Sequence, residues 1–119
     1  MRRHNYKNLK IWKIALEISK DISDLLNNFP SSEKFNLVSQ MSRCSISIPS
    51  NIAEGSARTD TSFSYFLNVA IGSSFELSTQ LLIAQHKKYI NEEELLSIEE
   101  KIIEFQKMRM SFQNKLKVG

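Results

Sequence analysis

The densest collection of side chains able to do chemistry lies in residues 42–58, SRCSISIPSNIAEGSAR. Ser42, Ser45, Ser47 and Ser50 fall within nine positions around Cys44, and Asn51, Glu54 and Arg58 follow Pro49. A hydroxyl or thiol becomes a nucleophile when a base stands beside it. The two histidines, His4 and His86, lie far from this stretch and from each other, one near a terminus and one at a predicted helix end. A bundle-core di-metal centre would want Glu-x-x-His pairs, which do not occur. The metalloprotease, phosphate-loop and nucleophile-elbow motifs are missing as well. The expectation is a protein that is not an enzyme, with no metal and no cofactor, whose serines pack rather than react.

The elements that position these residues follow from composition and periodicity. A chain of 119 residues can bury one core. With 3 glycines and 2 prolines it favours helices joined by few short loops. The single cysteine reads as a small buried side chain in a reducing, cytoplasmic setting. No run of about 18 apolar residues predicts a membrane span, and the opening MRRHNYKNLKIW lacks the apolar centre of a signal peptide.

Four amphipathic stretches emerge, at about 8–28, 32–56, 60–87 and 92–117. The first carries Ile11, Ala15, Ile18, Ile22, Leu25 and Phe29, widened by Trp12, Leu16 and Leu26, and Asn27-Asn28-Phe29-Pro30 stops it. Ser31 or Ser32 can cap the second, with Glu33 in its first turn; Phe35, Leu37, Val38, Met41, Cys44, Ile46, Ile48, Ile52 and Ala53 are its apolar residues and Gly55 marks its end. Thr59 or Asp60 opens the third, with Phe63, Leu67, Ala70, Ser74, Leu77, Leu81 and Ala84 in steps of three and four. Asn91 with Glu94 resembles a capping box for the fourth, which continues through Leu95, Ile98, Ile102, Phe105, Phe112 and Leu116. Pro49 costs on the order of 3 kcal/mol inside a helix. The spacing Cys44, Ile48, Ile52 nevertheless keeps its phase across it, so helix 2 is expected to continue with a kink. The predicted fold is all-α: a single-domain, up-down-up-down antiparallel four-helix bundle.

Folding helix 2 back on helix 3 about Ala57 and Arg58 sets Arg43 level with Ser73, Gln40 with Glu76 and Ser47 with Val69. The serines then face AIGSSFE, residues 70–76, where Gly72 invites close backbone approach. Gln40, Arg43 and Glu76 are expected to form a polar cluster there. Whether this contact lies within one subunit or between subunits stays open, as does the alternative that the serines face water. Glu54 and Arg58, four apart, read as a surface pair or as groups near the functional end.

The run FNLVSQMSRCSISIPSNIAEG, residues 35–55, with FLNVAIGSSFELSTQL, residues 66–81, resembles the 23S rRNA-intervening sequence proteins. The opening LKIWKIA also fits. Positions matching the family pattern are Gln40, Arg43, Ser47, Pro49, Asn51, Glu54, Gly55, Gly72, Ser73, Glu76 and Gln80; Cys44 stands where that pattern has a small residue. The resemblance implies a bacterial four-helix bundle that assembles as a homopentamer and has no enzymatic activity. A related branch, the accessory variability protein of diversity-generating retroelements, works beside a reverse transcriptase and is thought to bind nucleic acid.

Net charge is +3, so its distribution matters more than its size. An up-down bundle gathers Arg2, Arg3, Lys7, Lys10, Lys13, Arg58, Lys107, Arg109, Lys115 and Lys117 at one end. Glu33, Glu92, Glu93 and Glu94 mark the other, diluted by Lys34, Lys87 and Lys88. Acids first and bases last on helix 4 complement its dipole, but bases at the start of helix 1 oppose theirs. That mismatch suggests an anionic partner, RNA or DNA, attracted in a salt-sensitive way. Tyr6, more than Trp12, could stack a base. The competing expectation is a scaffold for a protein partner.

Overall fold

In the computed structural model, residues 5–117 are described. Four α-helices span Lys10–Leu26 (α1), Leu37–Ser56 (α2), Asp60–His86 (α3) and Glu92–Gln113 (α4), with single 3-10 turns at Tyr6–Asn8 and Ser31–Glu33. Each helix packs on its neighbours in sequence, and α1 closes the arrangement against α4. Ser47 meets Ser73 while Cys44 meets Glu76, so α2 and α3 run in opposite senses. Ser64 meets Gln113 while Ser78 meets Glu99, so α3 and α4 also run in opposite senses. The result is a four-helix bundle of 48 × 24 × 22 Å. Its ends are many Debye lengths apart, so each presents its own charge to solvent.

The three-four stripes form the core. Ile11, Ala15, Ile18, Ile22 and Leu25 of α1 share one cluster with Met41, Cys44, Ile48 and Ile52 of α2, Phe63, Leu67, Ala70, Leu77, Leu81 and Ala84 of α3, and Leu95, Ile98, Ile102 and Phe105 of α4. Burying each large side chain contributes about 1.5–3 kcal/mol. Thr59 caps α3 by accepting from the Ser62 N–H, and Asn91 and Glu94 form the capping box of α4. By length and composition α3 is apolar enough to cross a membrane; here it packs between α2 and α4.

Several boundaries differ from the periodicity. Helix 2 begins at Leu37, not near residue 32. Ser31–Glu33 is a separate 3-10 turn, and neither Ser31 nor Ser32 caps α2. The reason is Glu33, which is buried and bonded to the α3–α4 turn instead of standing in a helical first turn. Phe35, placed by periodicity in the core stripe, falls in the intervening turn and is 89% exposed. Ile46 likewise faces outward. Helix 1 starts at Lys10 rather than residue 8, because Leu9 is extended. Helix 4 ends at Gln113, so Lys115 and Lys117 lie beyond it and no base stands in its last turn.

α2 runs unbroken through Pro49, whose ring is buried. Proline withholds the N–H that the Ser45 carbonyl would otherwise accept. Close by, the Asn51 side-chain amide donates to the Ser47 carbonyl at 2.7 Å and to its hydroxyl at 2.9 Å, bracing the helix just past the proline.

Candidate nucleic-acid interface and the small-residue seam

Helices α2 and α3 meet along small side chains. The Cys44 thiol donates to the Ser73 carbonyl at 3.0 Å and toward Glu76 Oε1 at 3.3 Å, and the Ser47 and Ser73 hydroxyls pair at 2.9 Å. Ser45, Ser56 and Ser74 are buried and donate to carbonyls three residues earlier in their own helices. These hydroxyls are occupied as structural donors. Burial, reinforced by the adjacent Glu76 carboxylate, pushes the Cys44 thiol up to about 12, so it stays protonated at physiological pH. A protonated thiol is a poor nucleophile.

Part of the expected geometry is corrected. Arg43 does not meet Ser73, nor Gln40 Glu76; Cys44 takes the place opposite both Ser73 and Glu76. Arg43 and Gln40 are exposed. Successive helical residues are about 100° apart, so only Cys44 of the adjacent pair can face the seam. Gly72 does not face the serines either: a Cβ placed on it would find no atom within 4 Å. The close approach is made by Gly55. A Cβ there would sit 2.7 Å from Phe63 Cδ1 and 2.9 Å from Phe66 Cβ. Gly55 thus marks a contact inside α2 rather than its terminus, which falls at Ser56.

Glu54 and Arg58 form an exposed ion pair, and the Arg58 guanidinium stacks 5.3 Å from the Phe66 ring centre. Such a pair adds little stability, but it does offset one of the expected cations. Lys10, Lys115, Lys107 and Arg109 divide between two grooves on either side of the end of α4. Lys10 and Lys115 flank a groove of about 280 Å³ between the start of α1 and the end of α4, floored by Leu9, Met108 and Phe112. Lys107 and Arg109 line a second, of about 600 Å³, with Phe75, Ile103 and Met110. Lys7 and Lys13 are exposed on the α1 side. The Lys117 N–H bonds to Asp60 at 3.0 Å, placing an acid among these bases. Arg2 and Arg3 lie outside the described residues. Tyr6 is not a free stacking face: it packs edge-on against Trp12 at 5.1 Å.

The start of α1 has neither a side-chain cap nor an acid in its first turn. The positive end of its dipole therefore adds to the lysines around it.

Two sets of contacts were not anticipated. Buried Glu33 accepts from Tyr89 at 2.7 Å, Lys87 at 3.0 Å and Asn36 at 3.3 Å. The Tyr89 and Lys87 bonds hold its carboxyl below the ordinary carboxylate value. This staple flanks Lys88, which adopts φ 65, a left-handed conformation where glycine is usual. The second set is a polar ladder in which Glu99, Gln106 and Gln113 of α4 reach Ser78, Ser74 and Ser64 of α3. The seven-residue spacing of those three α4 positions is a readable signal that one helix face is polar.

No curated protein matches the chain. A crystal structure of a protein of unknown function from the S23 ribosomal protein family, from Bacteroides thetaiotaomicron, superposes with a TM-score of 0.80 at 26% identity. The alignment covers 88% of this chain and 96% of that one. Residues 7–111 match the family described as 23S rRNA-intervening sequence protein. With nearly its whole length matched by that description, the chain belongs to the 23S rRNA-intervening sequence protein family.

Proposed function

We propose that the protein is a non-enzymatic, oligomeric accessory protein that binds RNA through the basic end of its bundle. The observation that carries this reading is Lys10 at an uncapped helix start, sharing a groove with Lys115 just past α4, with exposed Lys7 and Lys13 three residues to either side in sequence. Cations at a helix N-terminus are electrostatically unfavourable within the chain. Their arrangement is better suited to phosphates, whose counterions they displace. The absence of an activated nucleophile in the serine stretch supports a binding role over catalysis, since Cys44 is held protonated and the buried serines bond to backbone.

The test is titration of a labelled structured RNA and a matched duplex DNA at low and physiological salt. Lys7→Glu, Lys10→Glu and Lys13→Glu together should abolish binding while the fold and the mass in solution persist. Undiminished affinity in that variant sinks the reading.

A second reading, self-association or docking of a protein, is favoured by the outer α3/α4 face. Phe75, Leu82, Leu96, Ile103 and Met110 are all about half exposed or more along it. We assign this face to another copy of the chain. Phe75→Asp with Ile103→Asp should lower the mass in solution to that of a monomer; an unchanged mass removes this face from the assembly.

A further inference from the structure

We infer that the α1/α4 groove is a slot for one unstacked base of a single-stranded nucleic acid, an inference that rests on the nucleic-acid reading above. The groove lies on the α1 side of α4 and shares only Ser111 with the lining of the groove on the α3/α4 side. Its lining is apolar at Leu9, Ile11, Met108 and Phe112, whose ring is itself held edge-on against Phe63 at 5.3 Å, and polar at Asn8 and Ser111. Lys10 stands on one wall and Lys115 on the other. That is the pairing a nucleotide requires: an apolar surface for the base, amide and hydroxyl groups for its edge, and cations for the phosphates on either side. Charge complementarity selects the occupant. Lys7 and Lys13, three residues to either side of Lys10 in sequence, are exposed, and no acid lies in the first turn of α1. A duplex cannot use the slot, because its bases are stacked and paired, so it would engage the lysines alone. The slot therefore converts a general attraction to phosphate into a preference for single strands.

The experiment measures binding of a labelled oligouridylate, a strand of equal length carrying abasic positions, and an RNA duplex, by anisotropy at fixed salt. The oligouridylate should bind about tenfold more tightly than the other two, the margin expected for stacking one base. Asn8→Trp, which adds bulk to the lining of this groove alone, should erase that margin. Equal affinities for all three probes, lost together in the triple lysine reversal, would overturn the slot and leave the basic-end reading intact. A margin that survives Asn8→Trp would also overturn it, placing the base elsewhere. No binding of any probe at low salt would remove both.

Discussion

α3 packs against two partners by opposite means. Toward α2 it presents Ser73 and the rings beside Gly55, and the helices approach until a hydroxyl meets a hydroxyl and a thiol meets a carbonyl. Toward α4 it is held by long side chains, Gln106 and Gln113, spanning to Ser74, Ser64 and Asn68. The first seam is tight, and its hydroxyls and thiol are bonded within the chain. The second leaves a groove whose walls include Phe75, Ile103 and Met110. Small side chains close a seam; long ones bridge it and leave room outside. The tight seam therefore reads as architecture and the open one as surface available to a partner.

Leucines on the two sides of α3 sharpen this contrast most. Leu77 is fully buried, so Leu77→Ala should cost about 2–5 kcal/mol in denaturant unfolding. Leu82, 54% exposed, should change the isolated chain by less than about 0.5 kcal/mol on the same substitution. Equal losses would mean the outer face is as structural as the inner one.

The glycines come next. Gly55→Ala forces a methyl against Phe63 and Phe66 and should destabilise by about 1–3 kcal/mol. Gly72→Ala meets nothing and should stabilise the helix by up to about 1 kcal/mol. A loss at Gly72 accompanied by a lower mass in solution would show that another copy packs on it.

The staple at the far end predicts a pH dependence. Glu33 titrates below its ordinary value of 4.5 in the fold, so its contribution is present above that value and is lost as pH falls through the folded one. Glu33→Gln should lower Tm at neutral pH, and the gap to the unsubstituted protein should close in acid. A gap that does not depend on pH would mean the carboxylate charge is irrelevant.

The smallest effect is at Cys44. A thiol pushed up to about 12 should react with iodoacetamide far more slowly in the native than in the unfolded protein at pH 8. Comparable rates would place it outside the tight seam.

Most of the fold was legible because helix periodicity is local. The stripe from Phe63 to Ala84 and the Asn91–Glu94 box need only the spacing of residues and the rule that apolar faces are buried. The register across α2 and α3 was not legible. It depends on which side chain of two adjacent residues faces the seam, and a shift of one exchanges Arg43 for Cys44. Phe35 was misplaced for a related reason, since the turn containing it is set by Glu33 reaching a tyrosine 56 residues away.

The amino-acid sequence by itself determined that the chain makes four helices, where three of them are capped or stopped, and which stripe of each is apolar. Those properties follow from hydrogen-bond geometry and burial within a few turns. Only the tertiary structure decided which glycine makes the close contact, how the cations divide between two grooves, and which apolar residues remain outside. These depend on the relative rotation and sliding of packed helices. Many side chains sum to set that rotation, and no short window of sequence contains it.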